Sequence, residues 1–160
     1  MRQNGFPPEP LASLIHDRLS DPDSATAGPI HVLLVEDDVE AAMLVRMSLT
    51  KSEQEGFQLE WSPNLTQAMK RVGLPGIDVV LLDLGLPEMT GYRSQRALEA
   101  STAYRVPMVI LTGDDAELSR DLTMGNSVSA YLVKDQTSPS QIRQALYRAV
   151  HEHRCTPCAA

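Results

Sequence analysis

At 160 residues, with 42% apolar and 22% charged side chains, the chain has the size and make-up of one globular domain with a short extension. Its formal net charge of −7 argues against a nucleic-acid binder, because that affinity rests on clustered Lys and Arg. No apolar run reaches the roughly 18 residues of a membrane span, and the opening MRQNGFPPEPLASLIHDRLS lacks the pattern of a secretory signal, so a cytoplasmic protein with no nucleic-acid or membrane partner is expected.

Residues 1–29 carry Pro7, Pro8, Pro10, Pro22 and Pro29 and read as a flexible leader. Within it Leu11, Leu14, Ile15 and Leu19 fall on one helical face. A plain tail and a short helix docking on the domain or a partner both remain open. A domain is expected over residues 30–152. HVLLV (31–35) reads as a strand, and the stretch from Val39 to Lys51 as a helix. FQLEW (57–61) alternates like a half-exposed strand, and Asn64 is placed to cap the helix after it. IDVVLL (77–82) is a buried strand, Gly91 to Ala100 a helix, and VPMVIL (106–111) another buried strand. A helix from about Ala116 to Met124 stops at Gly125. SAYLV (129–133) is the fifth strand, and Ser138-Pro139 opens a last helix whose Ile142, Leu146 and Val150 keep helical spacing. Residues 153–160 form a tail. The β-α alternation predicts an α/β fold, a parallel sheet with helices on both faces, and the near-continuous apolar runs suit strands covered on both sides.

Ligands of open α/β sheets bind beyond the carboxyl ends of the strands. There the first strand leaves Glu36, Asp37 and Asp38, the third Asp83, the fourth Thr112 and the fifth Lys134. Carboxylates crowded together repel, and a hard divalent cation relieves that repulsion; Mg²⁺ favours carboxylates, water and phosphate oxygens. Lys134 offers a point charge and Thr112 a hydroxyl to a phosphoryl oxygen, with Gly113 leaving room beside them. A carboxylate can be the nucleophile of an aspartyl-phosphate, and Asp83 lies between the acids and the lysine. Asp38 reads as a helix-capping acid.

LLVEDD (33–38), VVLLDLGLPEMTGY (79–92), VILTG (109–113) and SAYLVK (129–134) together resemble the receiver domains of two-component response regulators, over residues 31 to about 152. The resemblance implies a (βα)5 doubly wound, flavodoxin-like sheet of order 2-1-3-4-5. It implies that Asp83 accepts a phosphoryl group from a sensor histidine kinase or histidine phosphotransfer protein. Mg²⁺ would be held by Glu36, Asp37, Asp83 and the Gly85 carbonyl, with Thr112 and Lys134 on the phosphoryl oxygens. Thr112 and Tyr131 would form the switch, and Pro87 and Gly91 match the loop after the acceptor. Slow loss of the phosphoryl group would follow its self-catalysed uptake. The residues after 152 are too few for an output domain, so the readout is expected to be contact with a downstream protein.

One position departs from the pattern. Family members commonly have Pro after the lysine, in a cis peptide; here it is Asp135. A non-proline cis bond costs about 2.5–4 kcal/mol, so the Lys134–Asp135 bond is expected to be trans or strained, with an altered output surface. Other readings stay open: a phosphorylation-independent pseudo-receiver, and a receiver fragment of a larger regulator. An aspartate-nucleophile phosphohydrolase would place a second Asp two residues after Asp83, where this chain has Gly85. His151, His153, Cys155 and Cys158 have zinc-ligand chemistry, but positions two apart on a helix diverge, and they read as a solvated tail. Asn64-Leu65-Thr66 fits a glycosylation sequon and is read as a helix cap.

Overall fold

Each apolar run of the sequence becomes a strand of one parallel sheet. The structure is a computed structural model that describes residues 28–50, 56–89, 91–102, 105–113 and 127–155. The leader to residue 27, the helix expected at 116–124 with its Gly125 stop, and Cys158 lie outside the described residues. The elements in chain order are β1 (Ile30–Val35), α1 (Val39–Thr50), β2 (Phe57–Ser62), α2 (Leu65–Val72), β3 (Val79–Asp83), α3 (Tyr92–Ser101), β4 (Met108–Thr112), β5 (Val128–Val133), a 3-10 turn at Lys134–Gln136, and α4 (Pro139–Cys155). The strand order is β2-β1-β3-β4-β5, the flavodoxin-like order expected from the resemblance.

Side chains alternate across a strand, and here both faces are apolar. On one face Val32, Leu34, Leu81, Val109 and Leu111 meet Ala42, Val45 and Leu49 of α1 and Ile142, Leu146 and Ala149 of α4. On the other, Leu33, Val35, Val80, Leu82 and Ile110 meet Leu65, Ala68 and Val72 of α2 and Leu98 of α3. Complete burial of each such side chain contributes about 1.5–3 kcal/mol, so these two layers dominate the hydrophobic stabilisation. β5 is only half-buried along most of its length, because it is an edge strand with a single neighbour.

Helix starts follow local chemistry. Asp38 Oδ1 accepts from the backbone N–H groups of Glu40 (2.8 Å) and Ala41 (3.2 Å), capping α1. Asn64 Oδ1 accepts from Gln67 N at 2.8 Å, as its position suggested, and Glu88 Oε2 accepts from Leu65 N at 2.8 Å. Ser138 and Gln141 form a reciprocal capping box around Pro139, the first residue of α4. Gly91 stands just outside α3 at φ +62, a conformation that suits glycine; the helix therefore begins one residue later than its sequence pattern indicated. β3 and β4 likewise start two residues late, after Asp78 and Pro107. No cis peptide bond occurs among the described residues, so Lys134–Asp135 is trans.

Candidate functional site

Strand register determines which polar residues come together. Val35 pairs with Leu82, Asp83 with Leu111, and Thr112 with Val133. Glu36 therefore leaves the sheet level with Asp83, Thr112 lies one step beyond, and Lys134 one step beyond that.

Glu36 is 1% exposed, and a buried carboxylate needs partners. Its Oε1 accepts from Asp38 N at 3.2 Å and its Oε2 from Lys134 Nζ at 2.6 Å. Its backbone is held as well: Glu36 N donates to the Ser62 carbonyl at 3.1 Å, and Trp61 Nε1 donates to the Glu36 carbonyl at 2.8 Å. Asp83, 5% exposed, accepts from Gly85 N at 3.1 Å through Oδ1 and pairs with Lys134 at 3.2 Å through Oδ2. A Cβ on Gly85 would lie 3.5 Å from that carboxylate. Asp37 is exposed.

Glu36, Asp37 and Asp83 each offer an oxygen within 4.8 Å of the others. Among the described residues they are the one such group of His, Cys, Asp or Glu. Two unit charges at about 4 Å repel by about 4 kcal/mol at an effective dielectric of about 20, and one ammonium cannot neutralise three carboxylates. Burial pushes the Glu36 carboxyl above its ordinary range; the Lys134 hydrogen bond opposes this and the Asp83 charge adds to it. Burial alone would lower the Lys134 pKa, but its hydrogen bond to Glu36 and the charges of Asp83 and Glu36 outweigh it, so the ammonium titrates above its usual range. A hard-oxygen donor set with excess negative charge suits Mg²⁺.

Thr112 is fully buried. Tyr131 is half-buried on the face of α2 and α3; burial, then Glu99 and Tyr92, raise its hydroxyl pKa. The structure thus brings Glu36, Asp37 and Asp83 within reach of one another and pairs Lys134 with Glu36 and Asp83, and register carries Thr112 to the same edge. Cys155 Sγ lies 3.7 Å from His151 Nε2, both exposed. Sequence reasoning missed Trp61 and Glu88. A tryptophan near a strand end was visible, but its partner is a backbone carbonyl, which carries no sequence signal.

Residues 32–147 match the family described as response regulator receiver domain. The chain belongs to the response regulator receiver family. Among curated relatives, this receiver is 29% identical over 133 residues to the transcriptional regulatory protein TrcR of Mycobacterium tuberculosis, covering 81% of this chain and 50% of that protein. It is 31% identical over 121 residues to the transcriptional regulatory protein CpxR of Escherichia coli, covering 74% and 50%. The receiver spans about half the length of these relatives. Among solved structures, the receiver domain of a sensor histidine kinase from Pseudomonas aeruginosa superposes with a TM-score of 0.65 at 25% identity, over 78% of this chain and 99% of that one. That structure has a magnesium ion coordinated in its active-site cleft. No helix among the described residues is long and apolar enough to cross a membrane.

Proposed function

We propose that this receiver is a phosphorylation switch whose acceptor is Asp83. The observation that carries the reading is the meeting of Glu36, Asp37 and Asp83 with Lys134 at one sheet edge. A phosphohistidine of a sensor kinase or phosphotransfer protein is the donor. An Asp83 carboxylate oxygen attacks phosphorus, the P–N bond breaks, and the electron pair leaves with the imidazole, which takes a proton. The Gly85 N–H on Oδ1 orients the carboxylate, and Lys134 and the Thr112 hydroxyl stabilise the charge on the transferring oxygens. Glu36, Asp37, Asp83 and the Gly85 carbonyl are the residues that would hold Mg²⁺, which supplies neutralising charge when bound. Water later cleaves the acyl-phosphate slowly.

In this reading, uptake of the phosphoryl group draws the Thr112 hydroxyl toward it and Tyr131 inward, altering a surface read by a downstream protein. The receiver unit is taken as residues 30–152, with a leader at 1–29 and a tail at 153–160 whose first three residues continue α4, in a cytoplasmic setting.

The test is intact mass after incubation with Mg²⁺ and a small acyl-phosphate donor. One added phosphoryl group, lost in Asp83→Asn and blocked by a chelator, is expected. A wild type that binds neither Mg²⁺ nor phosphoryl would overturn the reading in favour of a phosphorylation-independent module.

A further inference from the structure

Helix α1 is apolar on both sides. Its inner residues Ala42, Val45 and Leu49 are buried, yet Val39, Met43, Leu44 and Met47 stand 55%, 59%, 66% and 61% exposed. They make up four of the seven large apolar side chains found exposed among the described residues. Val39, Met43 and Met47 follow one another at helical spacing, and with Leu44 they form a contiguous stripe facing away from the sheet. Contiguous exposed apolar surface marks a contact face, and methionines adapt readily to a partner.

We infer that this face is covered by the chain's own residues 11–19. The leader places Leu11, Leu14, Ile15 and Leu19 at the spacing of one helical face. Both stripes span nine residues from first to last, so they match in length. Each carries one acid and one base, Asp17 and Arg18 in the leader and the exposed Glu40 and Arg46 on α1. Arg18 falls among the leader's apolar positions and Glu40 among those of α1, whereas a parallel alignment would set Arg18 beside Arg46. Arg18 can lay its stem along apolar surface with its guanidinium at the rim. Pairing Arg18 with Glu40 sets the two segments antiparallel, Leu19 beside Val39 and Leu11 beside Met47.

The connection allows this. Ile30 N donates to the Gly56 carbonyl at 2.6 Å, so the described chain enters beside the connection that leaves α1. α1 is 12 residues long, about 18 Å at ~1.5 Å per residue. Residues 20–28 reach about 30 Å when extended at ~3.3 Å each, enough to bring Leu19 to the far end of the helix.

The test uses the full chain, reading peroxide oxidation of Met43 and Met47 and hydrogen exchange over residues 11–19. In the wild type both methionines are expected to oxidise slowly and the leader amides to be protected. Leu14→Glu with Ile15→Glu should speed oxidation of both methionines several-fold, and Met43→Glu with Met47→Glu should release the leader amides. Arg18→Glu should weaken the protection, and Arg18→Glu combined with Glu40→Arg should restore it. Oxidation rates that leader substitutions leave unchanged would overturn the inference. Protection that disappears on dilution would also overturn it, pointing to a second copy of the chain as the occupant.

Discussion

Lys134 Nζ stands 2.6 Å from Glu36 Oε2, an ion pair that joins the end of β5 to the end of β1 across 98 residues of sequence. Glu36 is the more buried partner, with 1% of its side chain exposed against 26% for Lys134. Removing the lysine therefore leaves a carboxylate inside the protein without its cation. Lys134→Met is expected to cost about 1–3 kcal/mol near neutral pH, and less near about pH 5, where Glu36 can neutralise itself by protonation. Urea unfolding at the two pH values measures both numbers. An equal loss at both would mean that Glu36 does not rely on this partner.

The raised Glu36 carboxyl makes a second prediction with a definite sign. An acid whose folded pKa exceeds its ordinary 4.5 contributes stability that is complete below that value. The contribution disappears as pH rises through the folded value. The Lys134 contribution, from a base raised above 10.5, is complete below that value and lost only above it. In chelator, the difference in Tm between wild type and Glu36→Gln should therefore shift against the wild type from about pH 4.5 toward neutrality. Added Mg²⁺ should raise the wild-type Tm more at about pH 8 than at about pH 4.5, because the carboxylates are ionised there. Thermal unfolding across that range, with and without the metal, checks both trends.

Trp61 makes a third case. It is the chain's single tryptophan, and its indole N–H holds the Glu36 carbonyl at 2.8 Å. Trp61→Phe removes that donor, whose net worth is about 0.5–1.5 kcal/mol. If the bond positions the acid pair, Mg²⁺ affinity falls about two- to tenfold, while substitution at exposed Gln58 of the same strand leaves it unchanged. Calorimetric titration with Mg²⁺ decides the point. In the wild type, tryptophan fluorescence should follow the same titration.

The start of α2 supplies a control remote from the lysine. Asn64→Ala is expected to cost about 1 kcal/mol through loss of the cap on Gln67 N. Asn64→Asp should retain most of the stability, because its carboxylate can accept the same hydrogen bond beside the positive end of the helix. Denaturant midpoints of the two variants test this.

Much of this architecture was legible because burial on both faces leaves an unmistakable mark. Runs such as VVLL and MVIL have no polar side to show, so they announce central strands. The capping roles of Asp38 and Asn64 were also readable, since a cap is a local contact within three residues. What escaped was non-local or belonged to the backbone. Asp78 and Pro107 sit in apolar runs, yet the Asp78 side chain turns to the His31 N–H and Arg154, and Pro107 has no N–H to offer a ladder. That β5 is half-exposed follows from its edge place in the strand order, which came from the resemblance and not from the apolar run itself. The gathering of Glu36, Asp83 and Lys134 was expected from strand ends, but that Lys134 lies nearer Glu36 than Asp83 depends on atomic positions.

The edge opposite the carboxylates is tied by a single acid. Asp78 accepts from the backbone N–H of His31 at 2.9 Å through one oxygen and pairs with Arg154 at 3.2 Å through the other. The first strand's entry and the last helix's exit therefore meet on one side chain, at the far side of the sheet from Glu36 and Asp83. Such adjacency is what circular permutation needs. A short linker from Cys155 to Gly28, with new ends opened between α1 and β2, would reroute the chain without displacing a carboxylate of the acid cluster.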